Sequence, residues 1–404
     1  MNNKWIRAAI PALLIHCSIG TVYCWSTFKE AIAQKIGVST FATGWAFSLA
    51  IFFLGMSAAF AGKVVEADIH RSSLISCICF TTGMIGTGLV INFCTGIAAL
   101  IGIYVFYGCI MGIGLGVGYI TPVKTLMLWF SDQKGLATGI SIMGFGLAKA
   151  IATPIMEVLQ KNFGISAMFY ILGGVYFCMM FVGHLILKKP EGWVEDASKN
   201  NDFSIKPLLK NRTFIGIWLI FFINIHCGLM LITYEKQLLN HTFEGLAILA
   251  AIISFVPSVT AACNALGRIG YSTISDKMKD RSLVYQIIYI SCIATCLLTV
   301  LLSGTGTLFR IIMIALLMII NLGYGGGFST LPALLSQRFG MDNISKIHGI
   351  TLTAWAVAGI TGNNTSEIIL KNSGTNYNIV IAVAGLLYAV AFTICILTVK
   401  EKNK

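Results

Sequence analysis

Apolar stretches with few or no charged side chains recur from one end of this chain to the other, and they dictate its solvent. A bilayer core is crossed by about 20 apolar residues in an α-helix. Runs of that kind fall near 8–28, 41–61, 73–93, 96–130, 136–156, 165–187, 213–233, 246–274, 282–303, 311–335, 348–370 and 377–399. Across 404 residues only 11% are charged, well below the about 25% of a water-soluble domain, and the mean hydropathy is +0.82. Membrane barrels need short alternating strands with polar lumen positions, whereas these runs are continuous and rich in Leu, Ile, Ala and Gly. The expected fold is therefore an all-α membrane protein with twelve transmembrane helices. The first run lacks a small-residue cleavage site and reads as a retained helix rather than a signal peptide.

Composition excludes several other classes. The net charge of +12 invites a nucleic-acid reading, but the positions of the basic residues explain it better. If the N-terminus and every second loop share one side, that side collects 19 of the 28 Lys and Arg, and the opposite side six. The positive-inside rule then puts both termini in the cytoplasm, with a bacterial inner membrane as the expected host. Of twelve cysteines, eleven fall inside the runs and Cys94 at an edge; Cys77 and Cys79 have no metal-site spacing, so packing is expected, with no metal and no cofactor. No cluster of nucleophile, base and acid suggests an enzyme. The expected partners are lipid and a small solute, with no nucleic acid, and the protein is expected to be a monomer.

The longest polar stretch, Lys188 to Arg212, divides the runs six and six. It defines an N-terminal six-helix bundle over 1–188, a cytoplasmic linker over 189–212 and a C-terminal six-helix bundle over 213–404. The halves repeat at an offset near 210: Glu66 and Arg71 recur as Asp276 and Arg281, and Pro122 as Pro332. An acid five residues before an arginine in equivalent cytoplasmic loops suggests paired charges that lock a conformation, so these four are the candidate gating residues. Repeated halves are also how secondary transporters are built, with solute bound near the midplane and one half rocking against the other.

Three basic residues lie where charge is expensive, since a centrally placed Lys or Arg costs at least about 2.5 kcal/mol on insertion scales. Lys149 is the deepest, bracketed by Leu136 and Gln160. Arg268 and Lys124 each precede an acid, Asp276 and Asp132, by eight residues, or about 12 Å of helix. Lys124 has two readings, snorkelling to the interface or lining a cavity. Intramembrane acids are scarce: Glu157 and Glu367 lie near span ends, and the basic residues have no evident carboxylate partner. A positive cavity of that kind attracts an anion, and the arginine fork suits a carboxylate. The same scarcity favours exchange over proton symport; His16, His184 and His226 read as packing residues. Glycine runs at 112–118 and 323–327 permit close helix approach. Beside them lie Tyr119, Tyr324 and Phe328, and the first span adds Tyr23 and Trp25, either as packing or as a solute cage.

Three phrases carry a resemblance: Gly20-Thr21-Val22-Tyr23-Cys24-Trp25-Ser26, Trp129-Phe130-Ser131-Asp132-Gln133-Lys134-Gly135-Leu136-Ala137-Thr138-Gly139, and Gly267-Arg268 followed by Ser275-Asp276-Lys277. Together they resemble the oxalate/formate antiporter family of the major facilitator superfamily over essentially the whole chain. The resemblance implies a major facilitator fold of two pseudo-symmetric six-helix bundles, alternating access, and a carrier of small mono- or dicarboxylates such as formate, oxalate, lactate or pyruvate. It implies Arg268 as a principal anion ligand and Tyr23, Tyr324 and Phe328 as lining aromatics. The family's second cationic position, a lysine in span eleven, is occupied here by Trp355, so a dianion would lose one partner. Lys149 and Lys124 are the cations available to replace it. A proton-coupled monocarboxylate symporter and a solute-sensing receptor on a transporter scaffold are the alternatives.

Overall fold

The computed structural model describes residues 3–192, 204–304, 306–374 and 376–400, and among these no strand occurs. The chain folds as α1 (Trp5–Ile36), α2 (Thr40–Ala67), α3 (Ile69–Phe93), α4 (Gly96–Trp129), α5 (Ser131–Phe163), α6 (Ile165–Ile186), a short α7 (Ile205–Lys210), α8 (Arg212–Ile232), α9 (Glu235–Phe243), α10 (Leu249–Asp276), α11 (Ser282–Leu301), α12 (Thr307–Phe339), α13 (Ile344–Thr351), α14 (Thr353–Asn372) and α15 (Tyr377–Val399). Ten of these are long and apolar enough to cross a bilayer. The expected spans at 246–274 and 348–370 coincide with α10 and with α13 and α14. Both stretches are helical as expected and stand outside that count; α14 is the more polar of the two, with Asn364, Glu367 and Lys371 along it.

Local chemistry sets the helix ends. Ser39 caps α2 by accepting the Ala42 amide at 3.2 Å, Asp68 caps α3 by accepting those of His70 and Arg71, and Asn211 caps α8 by accepting that of Phe214. Gly37 and Gly164, at φ 73° and 81°, end α1 and α5 in a conformation that costs other residues strain. The outer surface is hydrophobic: Phe60, Phe93, Ile97, Phe255 and Leu386 are each at least two-thirds exposed, which water would penalise and acyl chains solvate. The chain is a multi-pass integral membrane protein.

Two compact units form. The first contains residues 1–203 together with 338–356, and the second 204–337 with 357–404. The middle of the expected linker, 193–203 with Asp196, Asn200 and Asn201, lies outside the described residues. In the first unit α2 packs on α4, α3 on α4 and α6, and α1 on α5 and α6. The short α13, encoded late in the chain, also belongs there and packs on α2 and α4. In the second unit α15 packs on α8 and α11, and α9 on α10.

Two helices are interrupted at matching places. The α-helical winding of α1 tightens to a 3₁₀ turn over Gly20–Cys24, and α8 gives way to α9 across Thr233 and Tyr234. Trp25 and Glu235, the first residues after the two interruptions, are 210 apart, the same offset as the sequence repeat.

Candidate functional site

In the second unit the side chains of interest hang on α10. Thr260, Asn264, Arg268, Ser272 and Asp276 follow one another at four-residue spacing, which puts each next to its neighbour in the series along a slowly winding stripe of the helix. Arg268 is only 1% exposed, its Nε donates to Asn264 Oδ1 at 3.0 Å, and its guanidinium carbon lies 5.6 Å from the centre of the Phe328 ring. That ring packs in turn on Tyr324 and Phe221, both at 5.1 Å. The approach of α12 that brings these aromatics to Arg268 depends on glycine. A Cβ at Gly325 would strike the Asn264 carbonyl and press on Arg268 Cγ at 3.1 Å, and one at Gly267 would strike the Leu322 carbonyl. The structure therefore brings Arg268, Tyr324 and Phe328 together. A buried guanidinium beside a neutral amide and an aromatic face is suited to a flat anion, because its fork matches a carboxylate bidentately.

The first unit holds a second aromatic group. Tyr119, Phe145 and Trp355 meet edge to face at 5.5, 5.5 and 5.8 Å, and Tyr23 joins through Phe145 at 5.4 Å. Trp25 is set apart from them: its indole packs at a tilt against Tyr107, ring centres 4.1 Å apart, and donates to the Thr43 carbonyl at 3.0 Å, an anchor for the part of α1 beyond its interruption. Lys149 is exposed on α5 and its Nζ donates to Ser26 Oγ at 3.3 Å. His16 sits between Ser141, whose Oγ is 2.6 Å from Nδ1, and the Tyr119 carbonyl, 3.0 Å from Nε2, so one nitrogen can accept and the other donate, and His226 bonds Thr361 Oγ1 at 2.9 Å; both are held within helix packing.

Two sequence expectations need correction. Lys124 has a carboxylate partner: it forms a buried ion pair with Glu66, both side chains being no more than 3% exposed. Glu66 accordingly does not pair with Arg71, which is exposed, while the other Glu66 oxygen accepts the Ser345 amide at 2.8 Å at the start of α13. The reason is geometric. Asp68 breaks the chain into extended backbone between the two residues, so Glu66 stays in the register of α2, facing α4, and Arg71 begins α3 on the outside. The equivalent pair in the second unit does form, with Arg281 and Asp276 at 2.7 Å.

Sequence reasoning also missed Glu235, which is 9% exposed and accepts or donates at 2.6 Å with Thr260 Oγ1. Its neighbours Tyr234 and Lys236 make it look like part of an interfacial loop. The 210-residue offset from Trp25, a buried residue, was the available signal.

Comparison with known proteins agrees with this architecture. Residues 12–363 match the Major Facilitator Superfamily. The oxalate:formate antiporter of Oxalobacter formigenes is 24% identical over 93% of this chain and 87% of its own length. An uncharacterized transporter of the superfamily from Escherichia coli is 23% identical over 89% of this chain and 86% of its own length. Among solved structures, the Escherichia coli fucose:proton symporter superposes with a TM-score of 0.69 at 14% identity, covering 98% of this chain and all of that one. The resemblance first carried by three short phrases thus extends over nearly the full length, and the chain belongs to the major facilitator superfamily of secondary transporters.

Proposed function

We propose that this transporter carries small carboxylate anions, mono- or dicarboxylates of the size of formate, oxalate, lactate or pyruvate, by alternating access, with Arg268 as the principal anion ligand. The observation that carries the reading is the burial of Arg268 beside a neutral amide and an aromatic ring. Its delocalised charge and forked donors select a planar anion over a neutral sugar or an amine. Tyr324 and Phe328 would bound the anion's apolar part; Tyr23, Tyr119 and Trp355 form the aromatic group of the first unit and are the solute-contact candidates there. Lys149 is the cation available for a second carboxylate; Lys124 is assigned instead to gating, because Glu66 already holds its charge. Glu66, Lys124, Asp276 and Arg281 then form the gating set, with Arg71 left at the surface. The oxalate:formate relative favours exchange of one carboxylate for another, across an inner membrane with both termini cytoplasmic. Proton symport is the second reading, favoured by one observation, the buried Glu235.

Reconstituted vesicles loaded with formate, oxalate, lactate or pyruvate test the assignment. Wild-type protein is expected to exchange at least one of the four, and Arg268→Gln to lose that flux while eluting and melting like the wild type. Normal flux in Arg268→Gln would reject Arg268 as the ligand.

A further inference from the structure

We propose that Glu235 is a proton-binding site, and that loading it accompanies carboxylate movement at Arg268; the second half of this inference rests on the carrier reading above. Thr260 Oγ1 stands 2.6 Å from Glu235 Oε1 and 3.0 Å from the Pro257 carbonyl oxygen. A hydroxyl has one hydrogen to donate. When Glu235 is ionised, that hydrogen goes to the carboxylate. When Glu235 is protonated, its own O–H donates to the Thr260 oxygen, and the Thr260 hydrogen turns to the Pro257 carbonyl. Either protonation state therefore keeps the Glu235–Thr260 hydrogen bond through rotation of one hydroxyl, with no movement of backbone, which suits a reversible proton site in a buried place.

The repeat supports the same conclusion. Trp25, at the equivalent position after the interruption of α1, is a permanent donor: its indole N–H donates to the Thr43 carbonyl on α2. Glu235 makes the corresponding link from α9 to α10, and only its protonated form is a donor.

The path toward the anion ligand is already laid out on α10. Thr260 is followed one turn later by Asn264 and two turns later by Arg268, about 12 Å along the helix, and Asn264 is the residue that holds the Arg268 Nε. The other titratable groups at this end of the unit are Tyr234 beside it, Lys236 and His241 on α9, Arg310 of α12, Glu367 of α14 and Tyr377 of α15. Arg310 Nε donates to the Thr242 carbonyl at 3.3 Å, and His241 packs on Tyr377 at 5.3 Å. Glu367 and Tyr377 act electrostatically on Tyr234. Glu367, Lys236 and His241 are exposed, whereas Glu235 is buried where α9 meets α10.

Two measurements on the purified full-length protein separate the proton site from the transport reading. Infrared difference spectra between neutral and acid buffer should show the carbonyl stretch of a buried protonated carboxyl. That band should vanish in Glu235→Gln and shift in Thr260→Val, which removes the hydroxyl and keeps the shape. Its presence unchanged in both variants, or its absence in the wild type, overturns the proton site whatever the flux. In vesicles, an alkaline interior should drive accumulation of labelled lactate or formate by wild type. Glu235→Gln should lose the response to the gradient and keep exchange of internal for external carboxylate. A gradient response in Glu235→Gln equal to the wild type overturns the coupling. If the infrared band behaves as expected but wild type moves none of the four carboxylates, the carrier reading and the coupling fall and the proton site stands.

Discussion

Asp68 fixes the start of α3 by accepting the Arg71 and His70 amides, and those hydrogen bonds, the Arg71 one foremost, hold its carboxyl below the usual carboxylate range against the opposing effect of burial. A carboxyl whose folded value is depressed stabilises above its unfolded value, and that contribution disappears as pH falls through the folded value. Asp68→Ala should therefore lower stability at neutral pH by about 1 kcal/mol, the usual worth of an N-cap. Thermal melts in detergent should show the gap between variant and wild type closing as the buffer is acidified. At this scale the sequence was legible where a charge stood alone in an apolar run and proved buried, as at Arg268. It was misleading at Glu66, whose partner Lys124 lies 58 residues away and reads as an isolated cation. It was silent at Glu235, because burial there comes from the break between α8 and α9, which no local residue pattern announces.

Helices, unlike their breaks, were plain from hydropathy. The runs at 96–130 and 165–187 coincide with α4 and α6 almost to the residue, since apolar length and a glycine or polar cap are local properties. The interruptions of α1 over Gly20–Cys24 and of the final helices between α13 and α14 leave apolar residues on both sides, so the hydropathy record passes through them. Close helix approach is another property of elements rather than of single residues. Gly325 lets α12 lie against the backbone of α10 at the level of Asn264. Gly325→Ala should overpack that contact, at a cost of about 1–3 kcal/mol. Because the shift is delivered to the helix that carries Arg268, KM for the transported carboxylate should rise as well. Melting temperature and initial uptake rates across a concentration series would measure both effects; an unchanged KM in a destabilised variant would separate packing from the site.

Across the whole molecule, the 210-residue repeat predicted paired acid–arginine loops in both halves, and the folded chain keeps the arrangement in one and replaces it in the other. The replacement ties three segments together: α2 through Glu66, α4 through Lys124, and α13 through the Ser345 amide. Removing one member of a buried ion pair leaves an uncompensated charge and typically costs about 3–5 kcal/mol. Lys124→Met should be strongly destabilising, and the double variant with Glu66→Gln should recover much of the loss. Hydrogen exchange should report the third link directly, with amides of α13 exchanging faster in Glu66→Ala than in wild type; equal protection would remove Glu66 from the gate. The joining of α13 to α2 and α4 also bears on biosynthesis. Backbone contacts from Gly62 to Lys346 and from Gly349 to Ala58 link residues nearly three hundred positions apart. All of α1 to α12 are synthesised before α13 exists, so that groove of the first unit stays unfilled through most of synthesis and is closed only when almost all of the polypeptide has been made.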